Sequence, residues 1–431
     1  MSSNAKVLLR LSPWLVIYIM LIVLTPRSDF FGDEGGYVSH AINLTHGYYT
    51  PANNIDLWWG PGYSIIMAPF VLLKAPWLAV KLLNAFFLFF AVIYFYHTLR
   101  LYTSSRYVLL LSYLFGLYPP FLRLLSYMLP ETLTTLLVAG LTYHFCKLNQ
   151  SPTHSRMHQL LAGCYLGYLA LTKVLFGYVI VVCLIIAGLA FMLVKRSQVL
   201  KKAMAVCGIA FLVCLPYPLY TYSLTGKLFY WGNVGGMQLY WMATPYEDEL
   251  GDWQFIEQIR TNPKLAAHHL AFYERVAKLP SIERDDVFMR EAIHNIGKHP
   301  SKYFRNWLNN IGRLFFDYPY SYVYQTPHTY FYMIPNMFIV VLGVLSLYPA
   351  WRQRKVTPTE IYVLLAFVLI AMGGTSLVSA YARQLWVMTP IIDLFIITVV
   401  VNAVMVRVPS SGRDRLREPV PAIELAVEKR S

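Results

Sequence analysis

The chain has 431 residues, of which 57% are hydrophobic and 13% are charged. Soluble domains carry about 25% charged residues, so this composition excludes an ordinary soluble protein and indicates an integral membrane protein. The formal net charge of +14 would suggest nucleic-acid binding in a soluble chain, but membrane topology explains it here, and we expect no nucleic-acid partner. All five cysteines lie in or at the ends of apolar runs without CxxC spacing, so we expect no disulfides and no cysteine metal site.

Apolar runs long enough to cross a membrane recur along the chain. They predict an all-α polytopic membrane protein with about ten transmembrane helices, at residues 11–25, 76–97, 107–122, 128–146, 159–172, 174–194, 203–222, 330–348, 361–379 and 385–406. The run at 62–73 is too short to span and predicts a juxtamembrane helix in the first outside loop. Lys6 and Arg10 precede the first run as in a signal peptide, but no small-residue cleavage site follows, so we expect a retained helix.

The spans divide the chain into four parts. Residues 1–222 form an N-terminal membrane module with the first outside loop at 26–75, and residues 223–329 form a large outside segment. Residues 330–406 hold the last helices, and residues 407–431 form a tail that we expect to be disordered. Balanced charge and helical spacing over 262–307 predict that the outside segment is a helical cap.

The short loops on one side of the predicted bundle are basic, which places them and both termini in the cytoplasm by the positive-inside rule. These cations are Lys6, Arg10, Arg100, Arg106, Lys147, Arg156, Lys195, Arg196, Lys201, Lys202, Arg352, Arg354 and Lys355. We therefore expect a plasma-membrane protein, with a bacterial inner membrane favoured by the compact size, whose functional face is periplasmic or extracellular.

Two adjacent carboxylates, Asp33 and Glu34, follow the first predicted span. Ionisable groups at membrane depth are costly and often mark a substrate or ion path. Alternatively, the two side chains begin an outside loop and cap the next helix, because acidic residues are favourable at helix N-termini. Position alone leaves the two interpretations about equally open.

Other charged residues fall on the same predicted face. Glu131 follows Pro130 at the start of the fourth span, where helix capping is again an alternative. Arg123 precedes it, Lys173 occupies a tight turn between two spans, and Arg383 lies at the outside end of the last span. A single such cation could simply snorkel to the headgroups. Several cations beside carboxylates instead favour a site that binds phosphate and moves a proton.

Several stretches together resemble the GT-C superfamily of polytopic glycosyltransferases, especially the branch with protein O-mannosyltransferases and lipid A aminoarabinose transferases. FFGDEGGYVSHAINLTHGYY resembles the first outside loop of that branch. LWWGPGYSIIMAPF resembles its juxtamembrane stretch, with Gly60-Pro61-Gly62 in place of the more usual paired prolines. SYMLPETLTTLL, LGYLALTKVLFGY, TGKLFYWGNVGGMQLYW and YARQLWVMTPIIDLF are similar to later outside turns, a loop and the final arginine-containing helix.

The resemblance implies a GT-C-like helix arrangement and an enzyme that transfers a hexosyl or pentosyl group from a polyprenyl-phosphate-linked donor. The implied reaction is an inverting single displacement on the non-cytoplasmic face, with a lipid, glycan or protein acceptor. By residue-by-residue correspondence, Asp33 is the catalytic base or a carboxylate that orients the acceptor, Glu34 is its neighbour in the motif, and Glu131 shapes or assists the site. We expect no cofactor, since this branch often works without a divalent metal.

The resemblance also suggests which side chains contact the two substrates. Lys173, Arg383 and Arg123 are expected to contact the donor phosphate, with Arg383 preferred. The residues expected to line the substrate groove are Tyr37, Trp59, Tyr63 and Asn233.

A transporter or flippase of lipid-linked saccharides is the main alternative, since the same charges could bind cargo without chemistry. A transporter should have polar residues that reach both faces, whereas the ionisable residues here concentrate outside. Asp393, inside the last predicted span, is the exception. A purely structural protein would leave the Asp33–Glu34 pair without a purpose.

Overall fold

The apolar runs fold into helices, as expected in a membrane, where a helix satisfies its own backbone N–H and C=O groups. The computed structural model describes residues 3–27, 29–151, 154–194 and 197–403. Within these ranges the regular secondary structure is entirely helical. The prediction of an all-α polytopic membrane protein is confirmed.

Helices follow one another closely along the chain. Up to residue 225 they are α1 (Ser3–Leu24), α2 (Glu34–Thr45), α3 (Pro61–Leu72), α4 (Trp77–Tyr102), α5 (Val108–Gly116), α6 (Pro119–Leu124), α7 (Glu131–Gln150), α8 (Ser155–Thr172), α9 (Leu175–Leu193), α10 (Gln198–Cys214) and α11 (Pro216–Thr225). The next are α12 (Gly235–Met242), α13 (Ile256–Thr261), α14 (Pro263–Leu265), the π-helix Ala266–Leu270, α15 (Ala271–Val276), α16 (Ser281–Lys298) and α17 (Pro300–Phe316). The last are α18 (Pro327–Arg352), α19 (Thr359–Ser376), α20 (Arg383–Trp386) and α21 (Thr389–Ala403).

Five helices among the described residues, α1, α4, α9, α18 and α19, are long and apolar enough to cross a membrane. The pair α10–α11, bent by 48°, makes a sixth if it is one span. All six coincide with predicted spans. Helices α7 and α8 also occupy predicted spans but are less apolar, so the ten predicted crossings reduce to five or six by length and composition.

Besides the span at 203–222, which bends between α10 and α11, two more predicted spans are not continuous helices, and all three correct the sequence analysis. The predicted span at 107–122 is divided into α5 and α6, because Pro119 and Pro120 cannot continue a helix and instead begin a new one. The predicted span at 385–406 is divided into α20 and α21, with Pro390 in the first turn of α21. The helix predicted at 62–73 is confirmed as α3, which has 12 residues, and its juxtamembrane position stays a prediction.

The segment between α11 and α18 folds around a hydrophobic cluster of its own. The buried members include Met237, Tyr240, Trp241, Ile259 and Phe288. Helices α12 to α17 surround this cluster, which confirms the predicted helical character over 262–307. We call residues 226–326 the cap. The predicted tail at 407–431, and the loop cations Lys195 and Arg196, lie outside the described residues.

Candidate active site

Asp33 immediately precedes α2, and its carboxylate is bound by an arginine distant in sequence. Arg383 Nη2 donates to Asp33 Oδ2 at 2.7 Å, and the two side chains are 29% and 25% exposed. The Asp33 side chain makes no capping hydrogen bond to α2, so helix capping does not explain this carboxylate. The pair is accessible to a ligand at one end of the helix bundle.

The charge on Asp33 is maintained by its neighbours. Burial by itself would raise the pKa of Asp33, but attraction and a hydrogen bond from Arg383 lower it, aided by Lys173 and a hydrogen bond from Trp59. The balance holds the pKa of Asp33 below its usual value, while the carboxylates raise the pKa of Arg383 although partial burial lowers it. Both groups are therefore ionised at neutral pH.

A second ion pair adjoins the first. Lys173 Nζ donates to Glu131 Oε1 at 2.8 Å, and Arg383 Nη1 lies 3.6 Å from the same oxygen. Glu131 is fully buried as the first residue of α7, and its Oε2 has no hydrogen-bond partner in the part of the chain that the structure describes. Two carboxylates and two cations from four separate segments thus alternate as Asp33–Arg383–Glu131–Lys173.

The turn that carries Lys173 is held by the residues that begin α3. A Cβ atom on Gly60 would lie 2.2 Å from the Leu171 carbonyl oxygen, and one on Gly62 would lie 2.5 Å from Thr172 Oγ1. Because only glycine permits so close an approach, the Gly-Pro-Gly sequence packs the juxtamembrane helix directly against this turn.

Three predicted groove aromatics pack together, and one of them, Trp59, hydrogen-bonds Asp33. The Tyr37 ring lies 5.8 Å from the Trp59 ring and 5.4 Å from the Tyr63 ring, centroid to centroid. Burial raises the pKa of both phenols, so they stay protonated. The buried Tyr63 hydroxyl has no hydrogen-bond partner among the described residues. A buried hydroxyl without a partner is uncommon and is a group that a ligand could satisfy.

Glu34, adjacent to Asp33, has a different environment. It is buried, and its Oε1 accepts from the Met128 backbone N–H while its Oε2 accepts from the Phe31 N–H, both at 2.6 Å. These bonds tie the start of α2 to the segment before α7. The geometry therefore gives Glu34 a structural task, and a direct part in chemistry stays a prediction.

Asn233 and Arg123 are not joined to the four charged residues by any contact in the described structure. Asn233 Oδ1 accepts from the Leu57 N–H at 3.0 Å, and its Nδ2 donates to the Ile55 carbonyl at 3.3 Å. The Arg123 guanidinium lies over the Tyr332 ring, 5.0 Å from its centroid. The substrate-contacting roles of both residues stay predictions.

The sequence analysis missed a residue that positions Arg383. The fully buried amide of Asn310, on α17, donates to the carbonyls of Ser376 and Val378 at 2.8 and 2.6 Å and accepts from the Ala380 N–H at 3.0 Å. These bonds fix the turn between α19 and α20 that leads to Arg383. The available signal was a polar stripe at helical spacing, Lys302, Asn306, Asn310 and Arg313, all of them buried.

No family model and no curated protein matches the chain. Among solved structures it is similar to the apo oligosaccharyltransferase of Archaeoglobus fulgidus, with a TM-score of 0.54 and 14% identity over 92% of this chain and 50% of that one. ArnT from Cupriavidus metallidurans gives a TM-score of 0.43 at 12% identity, covering 93% of this chain and 78% of that one. For the Saccharomyces cerevisiae protein O-mannosyltransferase Pmt1-Pmt2 complex the score is 0.41 at 18% identity, with coverage of 52% and 34%.

The chain spans about half the length of the A. fulgidus oligosaccharyltransferase. At such low identity this likeness is evidence of the fold alone. The chain has the fold of the GT-C glycosyltransferases, as its sequence resemblance predicted.

Proposed function

We propose that the chain is a membrane glycosyltransferase that moves a hexosyl or pentosyl group from a polyprenyl-phosphate donor to a lipid, glycan or protein acceptor. The observation that carries the proposal is the ionised, accessible Asp33 carboxylate, paired with Arg383 in a GT-C fold. The A. fulgidus oligosaccharyltransferase has been solved in complex with a dolichol-phosphate. That likeness supports a polyprenyl-phosphate donor here.

In the proposed reaction, the oxygen of an acceptor hydroxyl attacks the anomeric carbon of the donor sugar. Asp33 accepts the proton of that hydroxyl. The bond from that carbon to the donor phosphate oxygen breaks, and the lipid phosphate leaves with the bonding electron pair. Attack opposite the leaving group inverts the anomeric configuration. Arg383 and Lys173 stabilise the charge that develops on the phosphate.

Arg383 couples donor binding to the strength of the base. Its bond to Asp33 keeps that carboxylate ionised but also makes it a weak base, because a lowered pKa disfavours protonation. A donor phosphate would attract the guanidinium, since arginine binds phosphate through paired hydrogen bonds. As the Arg383–Asp33 bond weakens, the pKa of Asp33 rises and the carboxylate becomes a better proton acceptor. Glu131 retains Lys173 and limits the displacement of Arg383.

The arrangement of the helix ends supports a site on the non-cytoplasmic face. At the end of the bundle remote from Asp33, Lys202 donates to the Leu148 carbonyl at 2.9 Å and Tyr102 donates to Glu360 at 3.1 Å. The basic short loops belong to this end, so the positive-inside rule makes it cytoplasmic. We propose that both termini lie in the cytoplasm, in a bacterial inner membrane, and that the cap is periplasmic.

The test uses purified protein in lipid nanodiscs with a panel of radiolabelled polyprenyl-phosphate sugars, and measures donor consumption and release of lipid phosphate. Asp33→Asn keeps the size of the side chain but removes the proton acceptor, so we expect turnover to fall by about a hundredfold or more. Asp29→Asn, in the exposed part of the same loop, is the matched control and should be unchanged.

Equal turnover by wild type and Asp33→Asn would contradict the assignment of the base. Transport of an intact donor across sealed vesicles that Asp393→Asn abolishes, without any turnover, would favour the transporter or flippase. Asp393 lies within α21 and is not one of the four charged residues.

A further inference from the structure

Three side chains in the cap converge on one point. His268 Nδ1 lies 2.8 Å from Glu249 Oε1, and His269 Nε2 lies 2.9 Å from the same oxygen. One ligand atom from each residue lies within 4.8 Å of the other two. Glu249 and His269 are buried, and His268 is 24% exposed, so the cluster has one accessible side.

We propose that Glu249, His268 and His269 bind a divalent transition metal of the zinc class. Two imidazoles and one carboxylate are a frequent ligand set for Zn²⁺, with a fourth position left for water or another oxygen. Calcium and magnesium prefer sites made of oxygen ligands alone, so the two histidines favour zinc over them. The sequence analysis did not single out these residues.

The local backbone explains how two neighbouring histidines reach one carboxylate. In an α-helix, consecutive side chains point about 100° apart, which separates them. Residues Ala266–Leu270 instead form a π-helix, whose wider turn reduces this angle. Such π-helical turns are rare and occur frequently at functional sites. The two rings reach the Glu249 carboxylate through different nitrogens, Nδ1 of His268 and Nε2 of His269.

Surrounding groups orient the three side chains as they do in metal sites. The Tyr240 hydroxyl bonds His269 Nδ1 at 2.7 Å, which leaves Nε2 directed at Glu249. The Tyr246 ring stacks on the His268 ring at 3.7 Å between centroids and 4° between planes. Hydrogen bonds to the second nitrogen of a metal-binding histidine fix the tautomer and ring orientation.

The other polar contacts of Glu249 leave its carboxylate available. Thr244 Oγ1 bonds Oε2, and the Lys302 ammonium bonds the main-chain carbonyl rather than the carboxylate. The same bonds could serve a purely hydrogen-bonded cluster, in which Glu249 accepts from two imidazole N–H groups. The two arrangements differ in whether the purified protein binds metal stoichiometrically.

The proposed ion would join the loop after α12 to the π-helix. Glu249 is in that loop, and the next residue, Leu250, accepts a hydrogen bond from Arg313 on α17 at 2.9 Å. Zinc would thus stabilise the cap on the side where α17 packs. This role is independent of sugar transfer.

The experiment uses the full chain, purified in nanodiscs through a tag without histidine, stripped with a chelator and titrated with Co²⁺. We expect the wild type to bind one equivalent, with visible ligand-field absorption that Zn²⁺ abolishes. His268→Gln should weaken binding by at least about tenfold, as expected for loss of a metal ligand. His294→Gln removes an exposed histidine of α16 and should bind as the wild type does.

Thermal unfolding of the same samples provides a second readout. Zn²⁺ should raise the midpoint temperature of unfolding of the wild type and of His294→Gln, because an ion that binds only the folded state stabilises that state. The midpoint temperature of His268→Gln should not change when Zn²⁺ is added. Two results would overturn the proposal: a folded wild type that binds no stoichiometric Co²⁺, or equal affinities in His268→Gln and the wild type.

Discussion

Arg383 contacts two carboxylates through different nitrogen atoms. Its Nη2 bonds Asp33, which is partly exposed, and its Nη1 faces Glu131, which is fully buried. A planar guanidinium can satisfy both at once, whereas a lysine ammonium acts as a point charge. The arginine therefore sets both the ionisation of the proposed base and the position of the proposed phosphate contact.

Arg383→Lys tests this geometry while it keeps the positive charge. The shorter, non-planar ammonium cannot bridge the two carboxylates, so we expect kcat/KM for the donor to fall about ten- to a hundredfold, the equivalent of one charge-assisted hydrogen bond. Arg260→Lys, on the exposed face of α13, is the matched control and should retain full activity. Full activity of Arg383→Lys would show that catalysis does not need one side chain to contact both Asp33 and Glu131.

The Asp33–Arg383 pair also predicts a pH dependence of stability. The pKa of Asp33 is lowered in the folded state, so its contribution is complete above the pKa of the unfolded chain, about 3.9, and is lost as pH falls through the lower folded value. The difference in unfolding midpoint between wild type and Asp33→Asn should thus be constant from pH 5 to pH 8 and shrink only below about pH 4. A difference that vanishes near neutral pH would contradict this pKa direction.

Helix α17 has its polar residues inside and apolar residues outside. Asn306 and Asn310 are fully buried, whereas Phe304 and Leu308 are among its most exposed side chains. This pattern is the reverse of that in a soluble helix and is typical of a helix that lies at a membrane interface. The inward amides bond carbonyls at the ends of α12 and α19, so the helix links the rest of the cap to the turn that leads to Arg383.

Asn310→Ala should remove the connection from α17 to the turn before Arg383 while the Asn306 connection within the cap remains. The change removes the Asn310 partner of the Ala380 N–H, of the buried Ser376 carbonyl and of the partly buried Val378 carbonyl, which costs about 1–3 kcal/mol in the free energy of unfolding. Because the turn before Arg383 loosens, KM for the donor should rise, and the acidic limb of the pH profile of kcat/KM should move to higher pH, since Arg383 lowers the pKa of Asp33.

The neighbouring half-buried Asn309 provides the matched control, because its side chain makes no such bonds within the described ranges. Asn309→Ala should therefore have little effect on either stability or KM. If Asn310→Ala has the same KM for the donor as the wild type, the turn between α19 and α20 does not position Arg383.

At the scale of the whole molecule, the helix bundle has two chemically different ends. The Asp33–Arg383–Glu131–Lys173 residues and the cap lie at one end, and the basic short loops lie at the other. If basic loops face the cytoplasm, the cap must lie across the membrane from them.

Cysteine labelling in intact cells tests this sidedness. In a background with the five native cysteines replaced, we expect Lys278→Cys in the cap to react with a membrane-impermeant maleimide. Lys355→Cys, in the loop between α18 and α19, should react only after permeabilisation. Both positions are exposed, so a reversed pattern would place the site in the cytoplasm.

Helix content was predictable because it depends on local properties. Apolar runs gave α1, α4, α9, α18 and α19 within a few residues of the predicted bounds at most of their ends. The breaks near Pro119 and Pro390 were missed because hydropathy averaged over a long window hides where one helix ends and another begins.

The amino-acid sequence by itself determined the membrane class, most helices and the charged residues at one face, since apolar length and motif composition are properties of contiguous residues. Only the tertiary structure decided which charges meet. Asp33 and Glu34 are neighbours in sequence, yet the first bonds Arg383 and the second bonds two backbone N–H groups. Their side chains leave the helix start in different directions, and the Arg383 and Met128 contacts that distinguish them come from segments about a hundred or more residues away.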